Sequence, residues 1–267
     1  MSATTAPVVC CDLDGVIWRG DEPIRPAADG VRQLRDAGLR VGFVSNNSSQ
    51  PVADVAAKLE RCGVPVELDD IITSAIAAAS LLATDLAPGA RVLVCGGAGV
   101  VEALEAVGLT PVRDGQADAV VVGFHLDFDF AGLARASDAV RAGARFVSTN
   151  LDATYPMPGG TMLPGAGAIS AAVAVASGRE PEVAGKPEPA TVALVRTRFG
   201  DHGVVVGDRP SSDGALAAAL GWQFGLVLSG VTAAIAPPGG EAIPSPPPPY
   251  VASDLGALAP QLVADLA

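Results

Sequence analysis

Four consecutive apolar residues, Val8-Val9-Cys10-Cys11, run straight into Asp12-Leu13-Asp14-Gly15, and this junction constrains the fold more than any other stretch. A run with no polar member has no face to offer water. It therefore reads as a strand covered on both sides, as in a parallel sheet with a helix layer on each face. Open α/β sheets bind ligands beyond the carboxyl ends of their strands. Two carboxylates at i and i+2 sit together at such a tip, and the glycine after them lets the backbone turn sharply. Like charges held that close call for a cation or a shared proton.

Three further segments carry matching chemistry. Arg40-Val41-Gly42-Phe43-Val44 leads into Ser45-Asn46-Asn47-Ser48-Ser49, a cluster of hydroxyls and amides suited to phosphate oxygens. Gly203-Val204-Val205-Val206 leads into Gly207-Asp208-Arg209-Pro210-Ser211-Ser212-Asp213, which adds carboxylates at Asp208 and Asp213. Between them, Gly185-Lys186-Pro187-Glu188-Pro189 presents one of only two lysines in the chain. Pro187 biases Lys186 toward an extended backbone, hence toward a loop.

The ordered set of four resembles the motifs of the haloacid dehalogenase superfamily of phosphohydrolases. Within it, the chain is similar to the NagD-like branch with its 4-nitrophenyl-phosphatases and phosphoglycolate phosphatases. Gly15-Val16-Ile17-Trp18-Arg19-Gly20-Asp21, the Ser45 to Ser49 run, Ser148-Thr149-Asn150-Leu151-Asp152, Leu163-Pro164-Gly165-Ala166-Gly167-Ala168-Ile169 and Gly185-Lys186-Pro187 carry that closer likeness. Ser211 departs from it, standing where an acidic residue is frequent. The resemblance implies Asp12 as nucleophile and Asp14 as general acid and base. It also implies Lys186 as the neutralising cation, with Ser45, Asn46 and Asn47 around the phosphoryl oxygens. Mg²⁺ would be held by Asp12, the Asp14 carbonyl and Asp208, with Asp213 behind them.

Strand-like and helix-like stretches alternate, which predicts α/β layers. Strands are expected at Val92-Leu93-Val94-Cys95, Ala119-Val120-Val121-Val122, Arg145-Phe146-Val147-Ser148 and Tyr250-Val251-Ala252. Helices are expected over 27–37, 52–62, 168–177 and 255–266, and from Val100 and Phe130 onward. The Pro- and Gly-rich stretch 236–249 reads as an extended loop. About 135 residues separate the second motif from the third, far more than a connection needs. A doubly wound, Rossmann-like core over 1–79 and 179–267, with an inserted α/β cap over 80–178, follows from that spacing and from the resemblance.

The balance of 17 basic to 29 acidic residues gives a net charge of −12. That argues against nucleic acid or an anionic membrane as partner. An anionic substrate then needs a local positive site, which a metal ion and Lys186 would supply. The four cysteines lack metal-ligand spacing and read as free thiols. Residues 1–7 lack the pattern of a signal peptide, and no apolar run is long enough to span a bilayer. A cytoplasmic enzyme is expected, with a small phosphorylated metabolite as partner and a homodimer through the cap as the implied assembly.

Other features compete less well. Asp129 reads as a helix N-cap rather than half of a second catalytic pair with Asp127. Gly96-Gly97-Ala98-Gly99 hints at a dinucleotide loop, but Glu102 stands where a third small residue belongs. His202 reads as exposed, while His125, Trp18, Asn150 and Asp152 are placed to touch substrate or to pack. Aromatic residues make up 4% of the chain. That scarcity favours a small polar ester over a nucleotide, with glycerol phosphate, phosphoglycolate and 4-nitrophenyl phosphate as leading substrates. Pyridoxal phosphate and sugar phosphates follow. A non-catalytic binding protein, a carbon–halogen hydrolase and a nicotinamide oxidoreductase are the competing classes.

Overall fold

The structure, a computed structural model, describes residues 7–156, 162–233 and 240–267. Its two large sheets are built, in chain order, from β1 (Val8–Cys11), β2 (Arg40–Ser45), β3 (Ile71–Thr73), β4 (Arg91–Cys95), β5 (Thr110–Val112), β6 (Ala119–Val122), β7 (Arg145–Ser148), β8 (Glu182–Val183), β9 (Gly203–Gly207), β10 (Gln223–Val227) and β11 (Tyr250–Ala252). One sheet runs β11-β10-β9-β1-β2-β3 and the other β8-β7-β6-β4-β5. Every neighbouring pair in both is parallel.

The helices of the described residues are α1 (Arg25–Asp36), α2 (Val52–Arg61), α3 (Ser74–Ala83), α4 (Ala98–Ala106), α5 (Phe130–Arg141), α6 (Ala166–Ser177), α7 (Pro189–Phe199), α8 (Ala215–Leu220) and α9 (Leu255–Leu266). Alternation along each strand sorts them into layers. Val9 and Cys11 of β1 join a cluster with α1, α2 and α9, while Val8 and Cys10 join one with α7 and α8. The second sheet is dressed in the same way. Val92 and Val94 pack under α3 and α4, and Leu93 and Cys95 under α5 and α6.

From β1 the chain builds outward through β2 and β3 on one side, then returns to build β9, β10 and β11 on the other. The reversal leaves a crevice beyond the tips of β1 and β9, where the Asp12 and Asp208 turns lie.

Two elements extend past the expected insert boundaries of 80 and 178. Helix α3, from Ser74, buries its alanines in the same cluster as β4 and β6, and β8 adds Glu182 and Val183 to the second sheet. Of the stretch 236–249, residues 236–239 lie outside the described residues, as do residues 1–6. Glu241–Ala242 pairs with Thr232–Ala233, which corrects part of the expected loop to a short parallel ladder. No helix among the described residues is long and apolar enough to cross a membrane.

Candidate active site

Asp12 follows β1, and its backbone N–H donates to the Val206 carbonyl of β9, so the two strand tips are locked side by side. Asp208 follows β9, and a π-helical turn over Pro210–Gly214 carries Asp213 back over the same tip. Carboxylate oxygens of Asp12, Asp208 and Asp213 lie within 4.8 Å of one another. Lys186 enters from the loop after β8 and its Nζ donates to Asp12 Oδ1 and Asp213 Oδ1, both at 2.7 Å.

The ammonium is buried, and burial alone would depress it. The two carboxylates outweigh that and hold it above the ordinary lysine range. Asp208 and Asp213 are pushed up by burial and by repulsion from Asp12. Three buried carboxylates against one ammonium leave an excess of negative charge. All the available donors are hard oxygens, which suits a small divalent cation such as Mg²⁺.

Asp208 is held from behind. Val231 N–H donates to its Oδ2 at 2.7 Å, and the Thr232 hydroxyl donates to its carbonyl at 2.6 Å. A Cβ on Gly15 or Gly230 would overlap the carboxylate. Ser211 stands where acid was frequent in the resembling family. It donates from its backbone to Glu241 Oε2 at 2.9 Å and from its hydroxyl to Oε1, so that Glu241 brings a carboxylate to this rim from 30 positions further on.

Asp14 stands two residues beyond Asp12, outside the three-carboxylate cluster. Its Oδ1 accepts from the Trp18 indole N–H at 3.0 Å, and burial followed by the Asp12 charge raises its pKa to about 6. Trp18 is 3% exposed and packs in the core cluster with β1 and α2. It opens a small hairpin, Trp18–Arg19 with Glu22–Pro23. Lys58 of α2 lies over the indole ring at 4.4 Å and donates to the Gly20 carbonyl at 2.6 Å.

The Ser45 to Ser49 turn behaves differently from a simple phosphate cradle. The Ser45 hydroxyl oxygen accepts from Asn47 N–H at 3.0 Å, which leaves its hydrogen free for another acceptor. The Asn46 side chain accepts from Lys186 N–H at 2.8 Å and donates to Asp152 Oδ2 at 3.2 Å. The Asn46 backbone carbonyl accepts from the Asn150 side-chain amide at 2.6 Å and from the Ser74 hydroxyl at 2.5 Å. Asn47 accepts from Ser49 N–H at 2.9 Å and donates to the Tyr155 hydroxyl at 3.4 Å. The side chains of this turn therefore seam the two sheets together. Asn150 and Asp152 were legible as polar residues near the site, but their partner was not.

Gly97 and Gly99 belong to the same seam. A Cβ on either would overlap the backbone of Ser49 or Gln50, so these glycines permit close backbone approach and not a dinucleotide turn. Asp129 caps α5, accepting from Gly132 N–H at 2.6 Å. His202 is exposed. His125 bonds the Gly123 carbonyl at 2.9 Å and lines a separate hollow of about 160 Å³ with Cys95, Arg113 and Arg135. Tyr155 is stacked on Phe124 with centroids 4.5 Å apart.

Residues 9–110 match the family model of the haloacid dehalogenase-like hydrolases, and residues 183–258 match a second, HAD-hydrolase-like model. The chain is 42% identical over 254 residues to D-glycerol 3-phosphate phosphatase of Mycobacterium tuberculosis, covering 92% of this chain and 69% of that protein. Acid sugar phosphatase of Staphylococcus saprophyticus is 40% identical over 178 residues, covering 67% of this chain and 68% of the relative. Among solved structures, the glycerol phosphate phosphatase of M. tuberculosis in complex with magnesium superposes with a TM-score of 0.83 at 39% identity, covering 95% of this chain and 76% of that one. The p-nitrophenyl phosphatase of Archaeoglobus fulgidus superposes with a TM-score of 0.83 at 30% identity, covering 96% and 99%.

Proposed function

Because the chain belongs to the haloacid dehalogenase-like hydrolases, we propose that it is a Mg²⁺-dependent phosphatase of small phosphomonoesters, working through a phosphoaspartate on Asp12. The observation that carries this reading is Lys186 bridging Asp12 and Asp213, with Asp208 beside them at the sheet's crevice.

A carboxylate oxygen of Asp12 attacks phosphorus while the bond to the leaving oxygen breaks, splitting one difficult displacement into two. Asp14 gives its proton to the leaving alkoxide. In the second half it takes a proton from the water that attacks phosphorus and releases Asp12. Lys186 neutralises charge on the transferring group, and the Ser45 hydroxyl, the backbone N–H of Asn46 and the Asn47 turn hold its oxygens. Asp12, the Asp14 carbonyl and Asp208 would hold Mg²⁺, with Asp213 behind them orienting Lys186, and the ion when bound supplies charge neutralisation at the phosphoryl oxygens.

The inserted unit between β3 and β9 acts as the cap that closes over the substrate and chooses its leaving group. Relatives named D-glycerol 3-phosphate phosphatase, acid sugar phosphatase and p-nitrophenyl phosphatase favour a small leaving group here. The Phe124–Tyr155 stack supports the same choice, since each ring already has a face covered by the other. A cytoplasmic location fits four free thiols, and the net charge fits a partner that is neither nucleic acid nor an anionic membrane. A homodimer through the cap remains part of this reading.

The test is phosphate release from glycerol 3-phosphate, phosphoglycolate, 4-nitrophenyl phosphate and sugar phosphates, with Mg²⁺ and with EDTA. Release that needs Mg²⁺ and disappears in Asp12→Asn is expected. Release that is indifferent to EDTA, or that survives Asp12→Asn, would refute the mechanism.

A further inference from the structure

The geometry points to Trp18 as a positioning residue for the reaction, its indole N–H fixing the Asp14 carboxyl in the pose from which it hands its proton to the leaving group. This rests on the reading of Asp14 as the general acid.

The residues form a chain from the outer helix layer to the crevice. Lys58 of α2 is one of two lysines in the protein, and its ammonium is anchored by the Gly20 carbonyl at 2.6 Å and by Asp21 at 3.5 Å. From that anchorage it lies over the Trp18 ring at 4.4 Å. A cation over the ring face draws electron density from the indole and strengthens its N–H as a donor. The N–H then donates to Asp14 Oδ1 at 3.0 Å. Backbone contacts keep donor and acceptor in step, because Gly15 N–H donates to the Trp18 carbonyl at 2.7 Å and Trp18 N–H to the Leu13 carbonyl at 3.3 Å. Trp18 itself is buried, so its ring packs in the core and is not offered to the substrate. With Oδ1 taken by the indole, Oδ2 is the oxygen left to carry the transferable proton. Rotation about the Cβ–Cγ bond, which would exchange the two oxygens, is blocked while the indole bond lasts. A carboxylic acid in one orientation reaches the leaving oxygen more often than one that spins, and displacements near 1 Å cost large factors in rate.

The test separates this from a packing role by leaving-group chemistry. An alkoxide needs the acid, whereas 4-nitrophenolate departs largely without it. Single-turnover release of the leaving group is measured with 4-nitrophenyl phosphate and with the alkyl phosphate that the wild type cleaves fastest. Asp14→Asn serves as the reference. Trp18→Phe keeps a ring beneath Lys58 and loses the N–H. It is expected to slow alkyl ester release by about ten-fold or more, and 4-nitrophenyl ester release by less than about three-fold. Equal losses on both esters, or none, overturn the assignment. Lys58→Met, which keeps the N–H but removes the cation, is expected to show the same selectivity at smaller amplitude. Equal losses there count against the chain of contacts even if the phenylalanine variant folds poorly. If Asp14→Asn itself shows no dependence on the leaving group, it is the general-acid reading that fails, and Trp18 loses its task with it.

Discussion

Asp208 occupies a socket that only glycine can line. Gly15 sits at φ +85°, where side chains are strained, and Gly230 has the carboxylate where a Cβ would begin. With Val231 N–H on one oxygen, the group has a single orientation to present to a cation. In Gly230→Ala the methyl would have to displace the carboxylate or the backbone that holds it. Loss of a supporting contact at a metal site typically costs about 10- to 100-fold in affinity or activity. The Mg²⁺ concentration for half-maximal activity is expected to rise by about that factor, and an unchanged midpoint in a Mg²⁺ titration would dismiss the socket. Asp12, Asp14, Lys186, Asp208 and Asp213 were legible because each is a reactive side chain at a strand tip or loop. Gly230 and Val231 were not, since they contribute backbone and shape. Asn46 was read as an amide for phosphate; its side chain is bound to Lys186 and Asp152, a tertiary arrangement that no local pattern encodes.

Helices α1 and α9 cross at a glycine contact, and this decides how closely they lie. A Cβ on Gly30 would sit 2.7 Å from the Leu255 carbonyl, and one on Gly256 would sit 2.7 Å from Pro26. In an isolated helix Gly→Ala gains roughly 0.5–1 kcal/mol. Forcing a methyl against backbone that cannot give costs roughly 1–3 kcal/mol, so the clash wins. Gly30→Ala is expected to lower the urea midpoint, and a midpoint at or above the wild type would mean that the helices ease apart freely. Element reading from the sequence succeeded where a pattern was local. Strands β1, β6, β7 and β11 and helix α9 stand at the expected residues, and α1, α2 and α6 differ by one to two residues at their ends. It missed α3, whose run Ser74-Ala75-Ile76-Ala77-Ala78-Ala79 is buried on nearly every side and so lacks a polar face to set a period. It also missed β8, whose two residues hold their place only by pairing with β7.

At the scale of the whole molecule, two parallel sheets share one seam, and the acidic balance makes the carboxylate cluster a liability without its cation. A ligand that binds only the folded state stabilises it by about 2.7 kcal/mol at a hundredfold excess over its dissociation constant. For a chain of this size that corresponds to a rise in Tm of roughly 5–10 °C. Calorimetry with Mg²⁺ and with EDTA is expected to differ by that amount, and coincident melts would mean that the cluster does not take the ion. The geometry of the insertion has a separate bearing on descent. The chain leaves the six-stranded sheet after Thr73 and leaves the five-stranded one after Val183, and the two exits touch: a Cβ on Gly185 would lie 3.1 Å from the Ser74 Cβ. A segment whose two ends emerge together can be exchanged at one spot without altering the register of the strands around it. On the proposed division of labour, taste in substrates and the phosphoryl chemistry are therefore separately heritable, and recombination at that single place can replace the first while leaving the second intact.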